Sequence, residues 1–182
     1  MKTLYKTDRL ILKTLDGTYA PLVLDYVLRN KDFLEKWETE KNENYFTLNY
    51  QKMSLKRDLD NFKLEKSLKF WIFKKNNKKR IIGSISLDNI IRGPFQSCFL
   101  GYKLDKDELN KGYITEAVEK IVEIAFNNYG LHRIEANIMP RNIASIRVVE
   151  KLGFYNEGLA KKYIFLNGKW EDHIHMVLLN EK

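Results

Sequence analysis

Apolar residues recur at helical spacing in the first third of the chain and fall into short runs after it. Residues 19–28, 33–37 and 50–66 carry apolar side chains at intervals of three and four, which predicts amphipathic helices. A short apolar run at 10–12 precedes them and predicts a first strand. The N-terminal third is therefore expected to be one strand followed by helices.

The spacing then changes to that of strands. Apolar runs at 70–73, 81–87 and 98–104 predict three strands. Residues 113–128 return to a helical pattern, and 133–138 again has the pattern of a strand. A strand, a helix and a strand in succession imply at least one parallel pair, because the helix carries the chain back to run in the same direction.

The last part of the chain combines one helix with a hairpin. Residues 142–152 predict a helix with Asn142 as its N-cap. Asn167 and Gly168 form a strong two-residue turn signal, and 173–179 alternates as a half-buried strand does. The predicted fold is a mixed α/β (α+β) arrangement in a single domain spanning residues 1–182.

Composition favours a globular protein of the cytoplasm. Hydrophobic residues make up 44% of the chain, but no apolar run approaches the ~20 residues that span a bilayer. The N-terminal residues lack the apolar segment of a signal peptide. The one cysteine, Cys98, has no partner for an internal disulfide and is expected to be a core residue. We therefore predict a cytoplasmic location without membrane contact.

The net charge of +8 falls within residues 1–80, which hold 19 Lys and Arg against 11 Asp and Glu. Its densest run, 74–80, lies between two predicted strands and is expected to be a solvated hairpin tip. RNA contact through this run is the minor alternative, so nucleic acid is not expected as a partner. His173 and His175 share a strand face without a third ligand at metal spacing, so no metal site is predicted.

A glycine-containing loop leads from the strand ending at Leu104 into the helix at 113–128. Unpaired backbone N–H groups and the positive end of the helix dipole meet there, which favours an anion such as a diphosphate. Gly112 has no Cβ, so a phosphate can approach its backbone closely. An ordinary strand-to-helix loop is the alternative on this segment alone.

Residues 137–154 strengthen the anion-site interpretation. They contain the pattern Asn-x-x-Ser-x-x-x-x-Glu-Lys-Leu-Gly-Phe, which resembles the GCN5-related N-acetyltransferase (GNAT) superfamily and is typical of its ribosomal-protein N-terminal (Rim-like) branch. Residues 7–12, 111–117 and 167–173 resemble that branch's opening strand, pyrophosphate loop and closing hairpin. The resemblance thus covers nearly the whole chain. It implies a twisted, mostly antiparallel sheet that splays in the middle and is flanked by helices.

The resemblance also implies where acetyl-CoA binds as a co-substrate. Coenzyme A is expected in the splay between the strands ending at Leu104 and Ile138, with its diphosphate on the backbone of residues 109–115. The candidate cations for its phosphates are Lys111, Arg147 and Lys151. Lys111 is favoured because it lies inside the loop, whereas Lys151 is expected at a solvated helix end. The implied cofactor-binding residues are Leu104, Leu109, Asn110, Lys111, Gly112, Tyr113, Ile114, Thr115, Asn142 and Ser145.

Two departures from the family pattern affect these expectations. The loop carries Asp107 and Asn110 where the family usually has Arg or Gln and Gly. Asp107 would disfavour a diphosphate if it pointed inward, whereas Asn110 tolerates the positive φ that the loop needs. Val149 stands where many members carry a catalytic Tyr, so Ser145, one helical turn earlier, is the implied hydrogen-bond donor to the departing thiolate.

The general base is not identified by the resemblance, because Asn137 stands where some relatives carry Glu. Glu135, two residues earlier on the same strand face, is the first candidate. The other candidates are His132, Glu157, Asp172, His173 and a bound water. We therefore predict acetyl transfer to an amine by direct attack, with Ser145 and Glu135 as the catalytic residues.

The acceptor is predicted from the branch alone. The resemblance implies the N-terminal α-amine of a ribosomal or other protein, and a polyamine or an aminoglycoside is the alternative. A non-catalytic module that binds acyl-CoA or RNA is the alternative of another class. Trp37 and Tyr45 are expected to line the acceptor groove, and both a monomer and a homodimer are compatible with the sequence.

Overall fold

One eight-stranded sheet organises the computed structural model, which describes residues 2–181; Met1 and Lys182, which the predicted domain includes, lie outside the described residues. The strands are β1 (Leu4–Lys6), β2 (Leu10–Lys13), β3 (Leu68–Lys74), β4 (Asn77–Ile91), β5 (Ser97–Leu104), β6 (Arg133–Ile138), β7 (Tyr155–Leu166) and β8 (Lys169–Leu179). Their order across the sheet is β1-β2-β3-β4-β5-β6-β8-β7. Among the strands within residues 2–181, only β5 and β6 pair in parallel, as the strand–helix–strand pattern predicted.

Helices cover both faces of this sheet. They are α1 (Ala20–Arg29), α2 (Lys31–Leu34), α3 (Leu48–Lys63), α4 (Tyr113–Asn127) and α5 (Ile143–Glu150). Short 3-10 turns lie at Gly17–Tyr19, Glu35–Trp37, Glu43–Phe46 and Lys106–Glu108. Thr47 caps α3 by accepting the backbone N–H of Tyr50, and Asn142 caps α5, as predicted, by accepting that of Ser145.

Alternate side chains of β3 divide between two hydrophobic clusters, because successive residues of a strand point to opposite faces. Phe70 and Ile72 pack in the cluster that contains α4 and α5, whereas Trp71 and Phe73 pack with α1 and α3. The inner face of α4 is fully buried in the first cluster, through Ala117, Val118, Ile121, Ile124 and Ala125. Each large aliphatic side chain buried in this way stabilises the fold by roughly 1.5–3 kcal/mol.

The structure differs from the predicted elements at three places. β1 was not predicted, because three residues are too few to show an alternating pattern. The helix expected over 33–37 is one α-helical turn followed by a 3-10 turn. β3 and β4 extend beyond their apolar centres into the basic hairpin tip, because backbone pairing does not require apolar side chains.

Cys98 lies in the larger core cluster, as predicted, and burial raises the pKa of its thiol to about 12. A thiol with so high a pKa is uncharged near neutral pH and is a poor nucleophile. No helix within residues 2–181 has the length and apolarity needed to cross a membrane.

Candidate active site

The sheet opens between β5 and β6. The two strands pair only from Ser97 and Arg133 to Phe99 and Glu135. Beyond that point β5 continues to Leu104 paired only with β4, and β6 continues to Ile138 paired only with β8. The unpaired halves of the two strands therefore border an opening, called the splay below.

The loop at the wide end of the splay has the backbone shape that the sequence predicted. Asn110 has φ 60° and Gly112 has φ 76°, both in the left-handed region. Gly112 precedes α4, and no side chain caps this helix start. The first N–H groups of α4, from Tyr113 onward, therefore have no intrahelical or side-chain acceptor, as an anion site requires.

A second chain segment holds the start of α4, and sequence reasoning missed its role. Glu116 accepts hydrogen bonds from Thr7 Oγ1 at 2.5 Å, from the Arg9 backbone N–H at 2.8 Å and from Arg9 Nε at 2.6 Å. The Arg9 guanidinium lies 4.6 Å from the ring centre of Tyr113 and donates to the Lys111 carbonyl at 2.9 Å. The opening strand thus clamps the loop to the helix.

Asp105 and Asp107, two acidic residues between β5 and α4, are both paired with Arg80. Asp105 is fully buried, and its carboxylate accepts hydrogen bonds from Arg29 and Arg80. Asp107 Oδ2 lies 3.0 Å from Arg80 Nη2. The Asp107 carboxylate, a departure from the family pattern, is therefore paired with a cation that it shares with Asp105.

The side chain of Lys111 turns back onto its own loop. Its ammonium donates to the Asp107 carbonyl at 2.6 Å and to Glu108 Oε2 at 3.0 Å. Glu108 is buried and also accepts from Lys74 at 2.5 Å. Burial raises the pKa of Glu108, but the hydrogen bonds from the two lysines outweigh burial and leave the pKa below its usual range.

Ser145 meets a tyrosine that the sequence analysis did not single out. The Tyr102 hydroxyl lies 2.6 Å from Ser145 Oγ and 3.0 Å from the Ser145 carbonyl oxygen. Burial raises the pKa of Tyr102 to about 12, although the hydrogen bond with Ser145 lowers it. Tyr102 belongs to β5 and Ser145 to the helix after β6, so the contact bridges the two sides of the splay. Val149 is fully buried in the larger core cluster.

Both carboxylate oxygens of Glu135 are occupied. Oε2 accepts from Arg133 at 2.6 Å, and Oε1 lies 2.9 Å from His175 Nδ1. Only 12% of the Glu135 side chain is exposed. Glu135 is thus in direct contact with a second titratable side chain, that of His175. The sequence analysis considered His175 only as a metal ligand.

The other base candidates each have a local structural contact. Glu157 pairs with Arg133, and Asp172 accepts the backbone N–H of Lys162. His173 is buried, with Nδ1 3.1 Å from the Glu171 carbonyl, and burial lowers its pKa. His132 is exposed and lies just before β6. The structure does not bring these four together at the splay.

A cavity of about 320 Å³ lies between α1, the segment after it, α3 and the sheet. Its wall on the sheet includes Ser84, Ser86 and Gly101, and Tyr45 lines it as predicted. A Cβ on Gly101 would lie 3.2 Å from Ser86 Oγ, so the missing side chain keeps this wall open. Trp37, the other predicted groove residue, is not among the lining residues.

A hairpin tip closes over one edge of the cavity. Asn167, at the β7–β8 turn, accepts the Glu40 backbone N–H at 2.7 Å and donates to the Glu35 carbonyl at 2.9 Å. Glu35 itself lines the cavity. The contact joins segments far apart in the chain and therefore fixes the rim by tertiary structure alone.

A family model described as an acetyltransferase (GNAT) domain matches residues 9–155. The chain belongs to the GNAT acetyltransferase family. It is 39% identical over 175 residues to the Bacillus subtilis (strain 168) protein named "Probable N-acetyltransferase YjcK", with 96% of each chain covered. The crystal structure of ribosomal-protein-S5-alanine acetyltransferase from Vibrio fischeri superposes with a TM-score of 0.94 at 33% identity, covering 100% of this chain and 98% of that chain.

Mycobacterium smegmatis RimJ in complex with CoA-disulfide is a more distant structural neighbour, with a TM-score of 0.89 at 24% identity over 94% of this chain and 82% of that chain. At this identity the likeness shows the fold alone. The GNAT fold, the Rim-like resemblance and the prediction of an N-acetyltransferase are confirmed by these relatives.

The candidate site thus combines features from separate parts of the chain. The loop before α4 is held by Arg9, and the contact of Tyr102 with Ser145 bridges the splay. The cavity beside Gly101 lies on the opposite face of the sheet from α4 and α5, because Gly101 alternates with the buried Leu100. The cavity therefore lies on the side of the sheet that α4 and α5 leave open.

Proposed function

We propose that this acetyltransferase moves the acetyl group of acetyl-CoA onto a primary amine, and that the acceptor is the N-terminal α-amine of a protein. The observation that carries the proposal is the splay itself, with an anion-binding helix start at one end and a separate cavity on the opposite face. This arrangement suits direct attack, because amine and thioester reach the splay without competing for one binding surface.

The loop fits the diphosphate of coenzyme A. Backbone N–H groups at Gly112 to Thr115 have no side-chain cap, and the positive φ of Asn110 and Gly112 gives the loop its shape. Leu109 is partly exposed beside them. Lys111 contributes through its backbone, because its ammonium is paired with Glu108. The RimJ neighbour was solved in complex with CoA-disulfide, which supports coenzyme binding by a protein of this fold.

Ser145 and Tyr102 act on the leaving thiolate in this proposal. Tyr102 has one hydroxyl proton, which it can give either to the Ser145 carbonyl oxygen or to Ser145 Oγ. In the reacting enzyme it is donated to Ser145 Oγ, which leaves the serine proton free to point into the splay. The pair then returns a proton to the sulfur as the carbon–sulfur bond breaks. A tyrosine from β5 thereby replaces the helix tyrosine that Val149 cannot supply.

The charge of the cavity favours a protein terminus over a polyamine. Its lining holds four lysines and four carboxylates, namely Lys31, Lys41, Lys69, Lys103, Glu35, Glu38, Asp58 and Asp88. Glu38 is paired with Lys103 and Lys41, and Asp58 with Lys69. A lining without net charge offers no surplus attraction to a polycation. The relative that acetylates ribosomal protein S5 on alanine supports a protein acceptor.

The test is an acceptor panel at saturating acetyl-CoA. Peptides with different free N-termini, the same peptides with blocked N-termini, spermidine and an aminoglycoside are compared by thiol release, and mass spectrometry locates the acetyl group. We expect release with free-terminus peptides only, with the acetyl group on the α-amine. Preferential acetylation of spermidine or the aminoglycoside would overturn the protein acceptor.

The panel also separates the enzyme from a non-catalytic module. Acetyl-CoA binding measured by calorimetry without thiol release from any acceptor would favour the module. RNA binding through 74–80 has less support than the sequence suggested, because Lys74 and Arg80 of this run are paired with carboxylates of the loop.

The role of Ser145 has its own test. Ser145→Ala is expected to lower kcat by about 10- to 100-fold, with less than a threefold change in acetyl-CoA affinity, because the hydroxyl acts on developing charge. Tyr102→Phe should lower kcat in the same way, and the double variant should lose little more than either single one. Equal losses in kcat and affinity would mean that Ser145 only positions the coenzyme.

A further inference from the structure

Two buried hydrogen-bond acceptors on neighbouring strands have no partner. Asn137 Oδ1 and His175 Nε2 are both enclosed, and each lacks a hydrogen bond within residues 2–181. They lie directly opposite one another in the β6–β8 register, so their Cβ atoms are neighbours on one face of the sheet. Buried polar atoms in folded proteins are nearly always paired, so two adjacent unpaired acceptors indicate a site for a donor.

The tautomer of His175 follows from its contact with Glu135. The Glu135 carboxylate lies 2.9 Å from Nδ1 and accepts only, so Nδ1 carries a proton and the neutral ring has its lone pair on Nε2. Arg133 holds the other oxygen of Glu135, and the Tyr163 ring packs 4.8 Å from the imidazole centre. The ring is therefore fixed with a basic atom directed away from Glu135.

The two acceptors lie on the sheet face that carries the cavity, but both are enclosed, so an amine reaches them only after neighbouring side chains move. Asn137 belongs to the half of β6 that β5 does not pair with. It shares a strand face with Glu135, which pairs in parallel with Phe99, and Phe99 shares its face with Gly101 of the cavity wall. The His175 ring is also reached from a shallow groove beside Gly158, which has no side chain to cover it.

We propose that Asn137 Oδ1 and His175 Nε2 together bind the nitrogen of the acceptor's primary amine, and that His175 accepts its first proton. An ammonium has three N–H donors, enough for both acceptors with one to spare. Glu135 is then a positioning residue that holds the histidine in the basic tautomer. This inference rests on the proposed N-acetyltransfer and adds the residues that recognise and deprotonate the amine.

The proton balance is complete without a further reactant. The ammonium gives one proton to His175 Nε2, and its freed lone pair forms the bond to the acetyl carbon. The carbon–sulfur bond breaks, and the second proton from nitrogen leaves with the thiolate as coenzyme A thiol, through Ser145 or solvent. The imidazolium then releases its proton to water. The net reaction yields the acetylated amine, the thiol and one proton.

The test compares pH profiles of kcat/KM for a free-terminus peptide in wild type and His175→Gln. Glutamine keeps polarity and approximate length but has no basic atom. We expect kcat/KM near neutral pH to fall by about 100-fold or more, and the acid limb that His175 produces to disappear. Acetyl-CoA affinity and thermal stability of the variant serve as folding checks. His132→Gln removes another candidate base, which is exposed before β6, and should retain the wild-type profile; loss of the acid limb in this variant instead would overturn the inference.

Other charged and titratable groups surround the His175 ring and also contribute to the pH profile of kcat/KM. From β6 these are Glu135 and Arg133, from β7 Glu157 and Tyr163, and from β8 His173. Asn137→Leu removes only the second acceptor and no titrating group. It should raise the amine KM by about tenfold with kcat and the shape of the pH profile retained.

The outcomes separate this inference from the proposed function. If wild type acetylates peptides and His175→Gln keeps both the rate and the acid limb, the histidine is not the base and the inference fails alone. If Asn137→Leu lowers kcat but not amine affinity, Asn137 does not bind the amine. If wild type releases thiol with no amine, the proposed function fails, and this inference fails with it.

Discussion

Asp105 offers a quantitative test of how the loop before α4 is held in place. Its Oδ2 accepts hydrogen bonds from Arg29 Nε at 2.9 Å and Arg80 Nη2 at 3.1 Å, and its Oδ1 accepts the Asp107 backbone N–H at 3.1 Å. Asp105→Asn preserves the shape, but the amide NH₂ must then face at least one of these N–H donors. The substitution therefore removes a buried charge and places the N–H groups of the new amide opposite an N–H donor that has lost its acceptor.

The expected loss of stability can be estimated from the burial of the three groups. Breaking a buried ion pair typically costs about 3–5 kcal/mol, because the remaining charge loses its partner. Asp105 is fully buried, but the Arg29 and Arg80 side chains are 19% and 39% exposed, so water compensates part of the loss. We expect the free energy of unfolding to fall by about 2–3 kcal/mol. For a chain of this length, that corresponds to a decrease in Tm of roughly 4–12 °C.

The assay is urea unfolding of the ligand-free protein at pH 7, followed by tryptophan fluorescence and circular dichroism. Asp107→Asn is the matched control, because this carboxylate also contacts Arg80 but is 59% exposed. Its loss should cost at most about 1 kcal/mol. If the two variants lost equal stability, or if Asp105→Asn lost less than Asp107→Asn, burial of Asp105 would not be the reason for its contribution.

The pH dependence gives the same reasoning a second test. Burial raises the pKa of Asp105, but hydrogen bonds from the Asp107 backbone, Arg29 and Arg80 outweigh burial and leave the pKa below its usual range. A carboxyl group with a lowered folded pKa stabilises the fold above its unfolded pKa of about 3.9 and loses this contribution as the pH falls through the folded value. The difference in free energy of unfolding between wild type and Asp105→Asn should therefore stay constant from pH 7 to pH 5 and shrink below about pH 4. A difference that stays constant below pH 4 would contradict the lowered pKa of Asp105.

Three further substitutions test the loop, its clamp and the rim. Gly112→Ala adds a Cβ 3.3 Å from Arg9 Nη2 and strains a positive φ, so the acetyl-CoA Kd measured by calorimetry should rise at least about tenfold. The control Gly130→Ala is also at positive φ but has nothing within 4 Å, so it should lose similar stability with an unchanged Kd. Glu116→Gln weakens the hydrogen bonds from Thr7 and Arg9, so it should lower the free energy of unfolding by about 1 kcal/mol and raise the acetyl-CoA KM. An unchanged KM would mean that these hydrogen bonds do not affect coenzyme binding. Asn167→Gly keeps the positive φ of the turn but deletes both rim hydrogen bonds. The peptide KM should therefore rise severalfold while the acetyl-CoA KM stays constant. Parallel changes in both KM values would refute a role of Asn167 at the rim of the acceptor cavity.

The sequence by itself determined the features that depend on local conformation. Asn110 and Gly112 adopt the left-handed backbone that their side chains favour, and Asn142 caps α5 through a bond only three residues along the chain. The inner face of α4 and the parallel pairing of β5 with β6 followed from periodicity and order. These features are local because propensity, capping and burial act within one or two turns of helix or one strand.

Only the tertiary structure decided which side chains meet at the splay. Thr7 reaches Glu116 across 109 positions, and Tyr102 reaches Ser145 across 43. No local pattern marks Arg9 as a clamp, Tyr102 as the partner of Ser145, or His175 as the partner of Glu135, because each contact depends on the strand order and register of the whole sheet. The sequence therefore specifies the backbone shape of the loop before α4, whereas the fold alone decides which side chains meet around the splay.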